Sequence, residues 1–186
     1  MVSVFKKFLF ILFTILTLSS CSFEFLTGIR YLSASYTTID CPTEIVSRAF
    51  KFAELYEKED TVYEWGGEDP LRNTIGIDCS GLVIMCYKYA MVDTSYKLIK
   101  EDMTAQDIHD YASTKKSVSS VQKGDLVFIG ANNSTKDITH IGFFEKYEND
   151  KVYILDSSSG SNGVHYNTYP VDSKMLKGYG RMRVKY

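Results

Sequence analysis

The sequence predicts an α+β fold in which N-terminal helices pack against a C-terminal antiparallel sheet. Two features carry that expectation. Residues 43–91 hold apolar side chains suited to packed helices, whereas the second half switches to short runs rich in Val, Ile, Phe and Tyr, bounded by Gly, Asn, Asp or Ser. Helices gathered ahead of strands favour an antiparallel sheet over alternating βαβ units. Size is the third observation: 186 residues, 45% apolar and 14% aromatic, suffice for one cored domain plus a short N-terminal extension.

The extension reads as a targeting segment. Lys6 and Lys7 precede an apolar stretch from Phe8 to Leu18, and the small Ser19 and Ser20 lead into Cys21. That stretch is 11 residues long, short of the roughly 20 a membrane-spanning helix needs. Residues 1–20 therefore have the form of a signal peptide. Leu18-Ser19-Ser20-Cys21 resembles a bacterial lipoprotein signal. The resemblance implies cleavage before Cys21, lipidation of its sulfur, and a chain held to a membrane outside the cytoplasm by acyl groups, in the cell envelope. Ordinary secretion with Cys21 as a leftover thiol is the alternative. Residues 21–40, rich in Ser, Thr and Tyr without a clear period, form a tether to a domain spanning 41–186.

Within the domain, Thr43 to Lys58 is the first helix, with Val46, Ala49, Phe50, Ala53 and Tyr56 on one stripe. Residues 63–76 form a loop marked by Gly66, Gly67, Pro70 and Gly76. Ser80 to Met91 reads as a buried helix, apolar almost all round, and Thr104 to Tyr111 as a shorter one with Thr104 at its N-cap. Five strands follow, at 125–129, 141–146, 151–155, 164–167 and 181–184, with Glu148-Asn149-Asp150 turning between the second and third.

Charge excludes one class of partner. The formal net charge is −2 and there is no basic run, so a nucleic-acid partner is not expected. Of the four cysteines, Cys21, Cys41, Cys79 and Cys86, none has C-x-x-C spacing, so neither a metal nor another cofactor is expected. A monomer is expected.

The chemistry concentrates at Asp78-Cys79-Ser80-Gly81, where a glycine-containing loop becomes a hydrophobic helix. A cysteine at a helix N-terminus meets unpaired N–H groups and the positive end of the helix dipole, which favour thiolate, the nucleophilic form. The same N–H groups are suited to an oxyanion. Three histidines are available as base. His109 lies on the short polar helix and His165 in a late strand. His140 opens the apolar strand Ile141-Gly142-Phe143-Phe144, which favours it without excluding His165.

Four segments in order, Tyr63-Glu64-Trp65-Gly66-Gly67, Asp78-Cys79-Ser80-Gly81-Leu82-Val83, Gly124-Asp125-Leu126-Val127-Phe128 and His140-Ile141-Gly142-Phe143-Phe144, resemble the NlpC-type cysteine peptidases, over about residues 43–186. The resemblance implies a papain-like fold and hydrolysis of peptidoglycan stem peptides, usually at the bond from γ-D-glutamyl to a diamino acid. By position it makes Cys79 the nucleophile, His140 the base and Tyr63 a neighbour of nucleophile and substrate. Asp78 and Ser80 match a pair that grips the free amine of the stem. The third catalytic position, often His in the family, is occupied here by Asp156, which can accept a hydrogen bond from imidazole Nδ1–H; His165 is the fallback. The implied partners are stem peptides or muropeptides, and a membrane through Cys21. Two other functions fit the same residues: a peptidoglycan amidase on this fold, and a non-catalytic muropeptide-binding lipoprotein.

Overall fold

A computed structural model describes residues 36–68, 76–132, 134 and 137–186. Cys21, the signal peptide and most of the expected tether lie outside the described residues. Among those residues three helices form: α1 (Thr43–Lys58), α2 (Cys79–Ala90) and α3 (Ala105–Tyr111). The strands are β1 (Thr38–Asp40), β2 (Val62–Tyr63), β3 (Gly76–Ile77), β4 (Lys97–Leu98), β5 (Ser113–Lys116), β6 (Leu126–Ile129), β7 (His140–Glu148), β8 (Lys151–Ser158), β9 (Gly163–Pro170) and β10 (Leu176–Lys185). They make one sheet in the order β1-β10-β6-β7-β8-β9-β2-β3, with β4 and β5 also pairing with β10. Every pairing is antiparallel except that of β2 with β3.

Local chemistry explains the helices. α1 buries Ile45, Val46, Ala49, Phe50 and Ala53 on one stripe. α2 is buried along nearly its whole length from Gly81 to Tyr87. α3 opens with a capping box, in which Thr104 accepts from Asp107 N and the Asp107 side chain accepts from Thr104 N. Between β7 and β8, Asn149 and Asp150 both take positive φ (50° and 56°), the left-handed pair that a two-residue hairpin turn requires.

Alternation along the strands divides the sheet between two cores. Leu126, Phe128, Ile141, Phe143, Leu155 and Val164 join the apolar side chains of α1 and α2 in the larger one. Val127, Ile129, Phe144, Val152, Ile154 and Tyr179 form a smaller cluster. Beside the larger core lies a buried ion pair. Arg181 Nε donates to Asp125 Oδ1 at 2.7 Å, while its other nitrogens donate to Thr43 Oγ1 (3.1 Å) and Gln122 Oε1 (3.2 Å). Gln122 N donates to the second Asp125 oxygen at 2.8 Å.

The expected architecture needs two corrections. Strands do not simply follow helices: β1 precedes α1, and it occupies the end of the stretch expected to be a tether, pairing through Ile39 with Val184. β2, β3, β4 and β5 also fall between helices or before the main strands. Each of these is two to four residues long. A run that short cannot display a period of two, and its pairing partner decides its conformation.

Candidate active site

Cys79 is the first residue of α2, and the chain on both sides fixes it there. Asp78 is the N-cap. Its Oδ1 accepts from Gly81 N (2.6 Å) and Ser80 Oγ (3.0 Å), and its Oδ2 accepts from Gly66 N (3.1 Å). Asp78 N in turn donates to the Gly67 carbonyl at 2.9 Å. Gly81 is required by this approach, because a Cβ there would collide with the Gly67 carbonyl oxygen. The Trp65-Gly66-Gly67 turn is therefore clamped against the start of the helix. Behind it, Glu64 Oε2 accepts from Gly76 N (2.9 Å), and buried Ser157 Oγ donates to the Ile77 carbonyl (2.6 Å), joining β8 to the residue before Asp78.

Cys79 is half-buried, whereas Cys41 and Cys86 are buried free thiols. Burial pushes Cys41 up to about 12, against a lowering influence of Arg181, and pushes Cys86 up as well. Neither thiol is suited to act as a nucleophile at neutral pH.

His140 opens β7 opposite Ile129. Its Nε2 lies 2.5 Å from Asp156 Oδ2, and Cys79 is near enough to act on the ring. Burial alone would lower the imidazole pKa. The contacts with Asp156 and Cys79, and the charges behind them, outweigh it and raise the pKa to about 10. Asp156 therefore engages Nε2 rather than the expected Nδ1. Either nitrogen satisfies the logic of nucleophile, base and orienting carboxylate.

Tyr63, in β2, stands close enough to Cys79 and Asp78 that its phenol is raised by burial first and by those two charges second. His165 sits opposite Asp156 in the β8–β9 register and makes no hydrogen bond to the side chain of His140 or Asp156. His109 is remote in role: it pairs with Asp110 and meets the Phe128 ring edge-on. Among the described residues no group of three or more His, Cys, Asp or Glu side chains could hold a metal ion.

Two further residues complete this geometry, Asn167 outside the motifs and Gly142 within the one that His140 opens. Asn167 Nδ2 donates to Asp156 Oδ1 at 2.5 Å. Gly142 lies against Asp156, and a Cβ on it would come 2.7 Å from Asp156 Cβ, so the bare backbone leaves room for the carboxylate. A lone glycine within an apolar strand was the available signal for such close approach.

Half-buried thiol, imidazole and buried carboxylate are the side-chain types that nucleophilic catalysis by a cysteine calls for. The chain belongs to the NlpC/P60 family, whose model matches residues 60–179. It is 31% identical over 157 residues to the bifunctional muramidase/DL-endopeptidase CwlT of Bacillus subtilis (strain 168), covering 82% of this chain and 40% of that protein. It is 36% identical over 96 residues to protein P54 of Enterococcus faecium, covering 48% of this chain and 15% of that one. The chain thus spans less than half the length of these relatives. Among solved structures, an NlpC/P60 family protein from Bacillus cereus ATCC 10987 superposes with a TM-score of 0.50 at 15% identity, covering 77% of this chain and 41% of that one, a likeness of fold.

Proposed function

We propose that this protein is a cysteine endopeptidase that hydrolyses peptidoglycan stem peptides at the bond from γ-D-glutamyl to a diamino acid. The observation that carries the reading is the half-buried thiol at the start of α2, near an imidazole that a buried carboxylate holds. Family membership and the DL-endopeptidase activity in the name of CwlT support the choice of substrate.

In this mechanism the Cys79 thiolate attacks the amide carbonyl carbon. The oxyanion faces first-turn N–H groups of α2, and protonated His140 delivers its proton to the departing amine. A water molecule, deprotonated by the now neutral imidazole, then releases the acyl group and restores the thiolate. A pKa of about 10 keeps His140 protonated at neutral pH, which suits the acid half of the cycle. Asp156 holds the ring and offsets its charge.

Asp78 and Ser80 are proposed to bind the free amine of the stem. Asp78 already accepts three hydrogen bonds. A carboxylate has about four acceptor positions, so one remains for an ammonium. Ser80 donates its hydroxyl proton to Asp78, leaving its oxygen lone pairs for the same ammonium. Tyr63 flanks the thiol on the substrate side.

Incubation with purified muropeptides, followed by product masses, tests this. The native protein should split the stem next to D-glutamate, and Cys79→Ala should leave it whole. Release of intact stem from glycan would indicate an amidase instead, and an uncut substrate would remove the hydrolase reading. Cys21 is proposed as the lipid anchor to a membrane outside the cytoplasm; Cys21→Ser should move the protein from the membrane fraction to the soluble one.

A further inference from the structure

We propose that Asn167 is a positioning residue for the candidate site, holding the Asp156 carboxylate in the plane that serves His140. The inference rests on the cysteine-hydrolase reading and extends its constellation by one member.

Asp156 is fully buried in β8. Its two oxygens have separate partners on the two flanking strands: Oδ2 takes His140 Nε2 from β7, and Oδ1 takes Asn167 Nδ2 from β9, both at 2.5 Å. The register explains why these residues meet. Across β8 and β9, Asp156 pairs with His165 and Ile154 with Asn167, so Asn167 reaches Asp156 from the diagonal position on the same face. On the other flank Gly142 leaves its position empty, and His140, two residues earlier on that face, reaches in. The carboxylate thus lies between two diagonal neighbours.

A buried carboxylate with one oxygen unpaired suffers a desolvation penalty and is free to rotate about its Cβ–Cγ bond. Rotation would carry Oδ2 away from Nε2. Asn167 supplies the missing donor, and it is anchored in turn: Nδ2 also lies 3.4 Å from Ser161 Oγ, which contacts Ser158 Oγ at 2.7 Å and the Gly163 carbonyl at 3.3 Å in the β8–β9 turn. An amide side chain is suited to this place because it donates without adding charge. An aspartate there would set two carboxylates against each other.

The test compares Asn167→Leu, which keeps the volume and removes the donor, with Asn167→Gln, which keeps an amide. The substrate-free readout is an NMR titration of the His140 ring, whose midpoint, expected near pH 10 in the native protein, responds to its contacts with Asp156 and Cys79. We expect Asn167→Leu to lower that midpoint by at least about one pH unit and to lower kcat by about 10- to 100-fold with KM within about twofold. Asn167→Gln should recover part of both. Should the leucine variant not fold, Asn167→Ala carries the same comparison. A folded variant whose His140 midpoint is unmoved overturns the proposal, whatever its melting temperature. If the native protein cuts no stem peptide while the midpoint moves as expected, the proposed substrate fails and the positioning role stands.

Discussion

Two fully buried aspartates in this protein, Asp125 and Asp156, each face a cation from a neighbouring strand, yet the two pairs are built for different ends. Asp125 meets Arg181, whose guanidinium also reaches Thr43 and Gln122 and so ties β10 to α1 and to the turn before β6. Arginine does not lose its proton in any ordinary pH range, so that pair is a fixed structural cross-link. Asp156 meets His140, whose ring also feels a half-buried thiol. An imidazole does titrate. The difference teaches that one arrangement, a buried carboxylate with two donors, is fixed or titratable according to whether its cation can give up a proton.

Asp156→Asn should break the second pair with the largest effect of any change considered. The new amide has one oxygen and one NH2. If the oxygen faces His140 Nε2–H, the NH2 is set against the Asn167 NH2; if it faces Asn167, donor opposes donor at the imidazole. We expect kcat/KM on stem peptides to fall about 10²- to 10⁴-fold, roughly 3–5.5 kcal/mol of transition-state stabilisation, together with a lower melting temperature, because a buried donor is left facing a donor. A variant that keeps more than about a third of native activity would remove Asp156 from the catalytic role proposed for it.

Arg181→Met should lower stability alone. It strands the Asp125 charge inside the protein, which costs about 3–5 kcal/mol, and should lower the melting temperature by about 10 °C. The folded fraction should retain near-native kcat, since none of the recorded bonds of Arg181 reaches Cys79, His140 or Asp156. Calorimetry beside kcat measured well below the melting point separates the outcomes: lost activity without lost stability would mean that the two pairs are coupled.

The asymmetry also marks what could be read from the sequence. The stripe of α1, the all-round apolarity of α2, the Thr104 cap and the Asn149-Asp150 turn follow from local rules, and all four are present. Cys79 at a helix start and His140 at a strand start were legible for the same reason. Asn167 was not. It sits at the end of an expected strand, and its value depends on the β8–β9 register, which no local pattern fixes. Arg181 was hidden differently: a charged residue in a short strand says nothing of an aspartate 56 positions earlier. β2 and β3, which flank the loop before Cys79, are two residues long and exist only as partners of one another and of β9.

The two pairs should also part company with pH. The His140 pKa is raised from an ordinary value near 6.5 to about 10 in the folded protein. A raised folded-state value means that the pair contributes stability fully below about 6.5 and loses it as pH rises through about 10. Melting temperature should decline across that window in the native protein and much less in His140→Gln, which has no imidazole to titrate. Activity should show an alkaline limb centred near pH 10 as His140 loses its proton. The Arg181 pair should contribute nothing to either slope. A native protein whose stability is flat from pH 7 to about 10 would contradict the ion-pair reading of His140.

The smallest effect expected sharpens the comparison by asking how rigidly His140 must be approached. Gln106, on α3, accepts from Ile138 N through Oε1 at 2.8 Å, two residues before the histidine. Ile138 is itself buried. Gln106→Ala leaves that N–H without its partner at a cost of about 1 kcal/mol, and the capping box keeps α3 intact because Thr104 and Asp107 are untouched. His140 retains both its β6 pairing through Ile129 and its bond to Asp156. Activity should therefore fall less than about threefold, with the alkaline limb unmoved. A larger loss, or a limb displaced below pH 10, would mean that the segment entering β7 sets the imidazole and that the carboxylate only completes it.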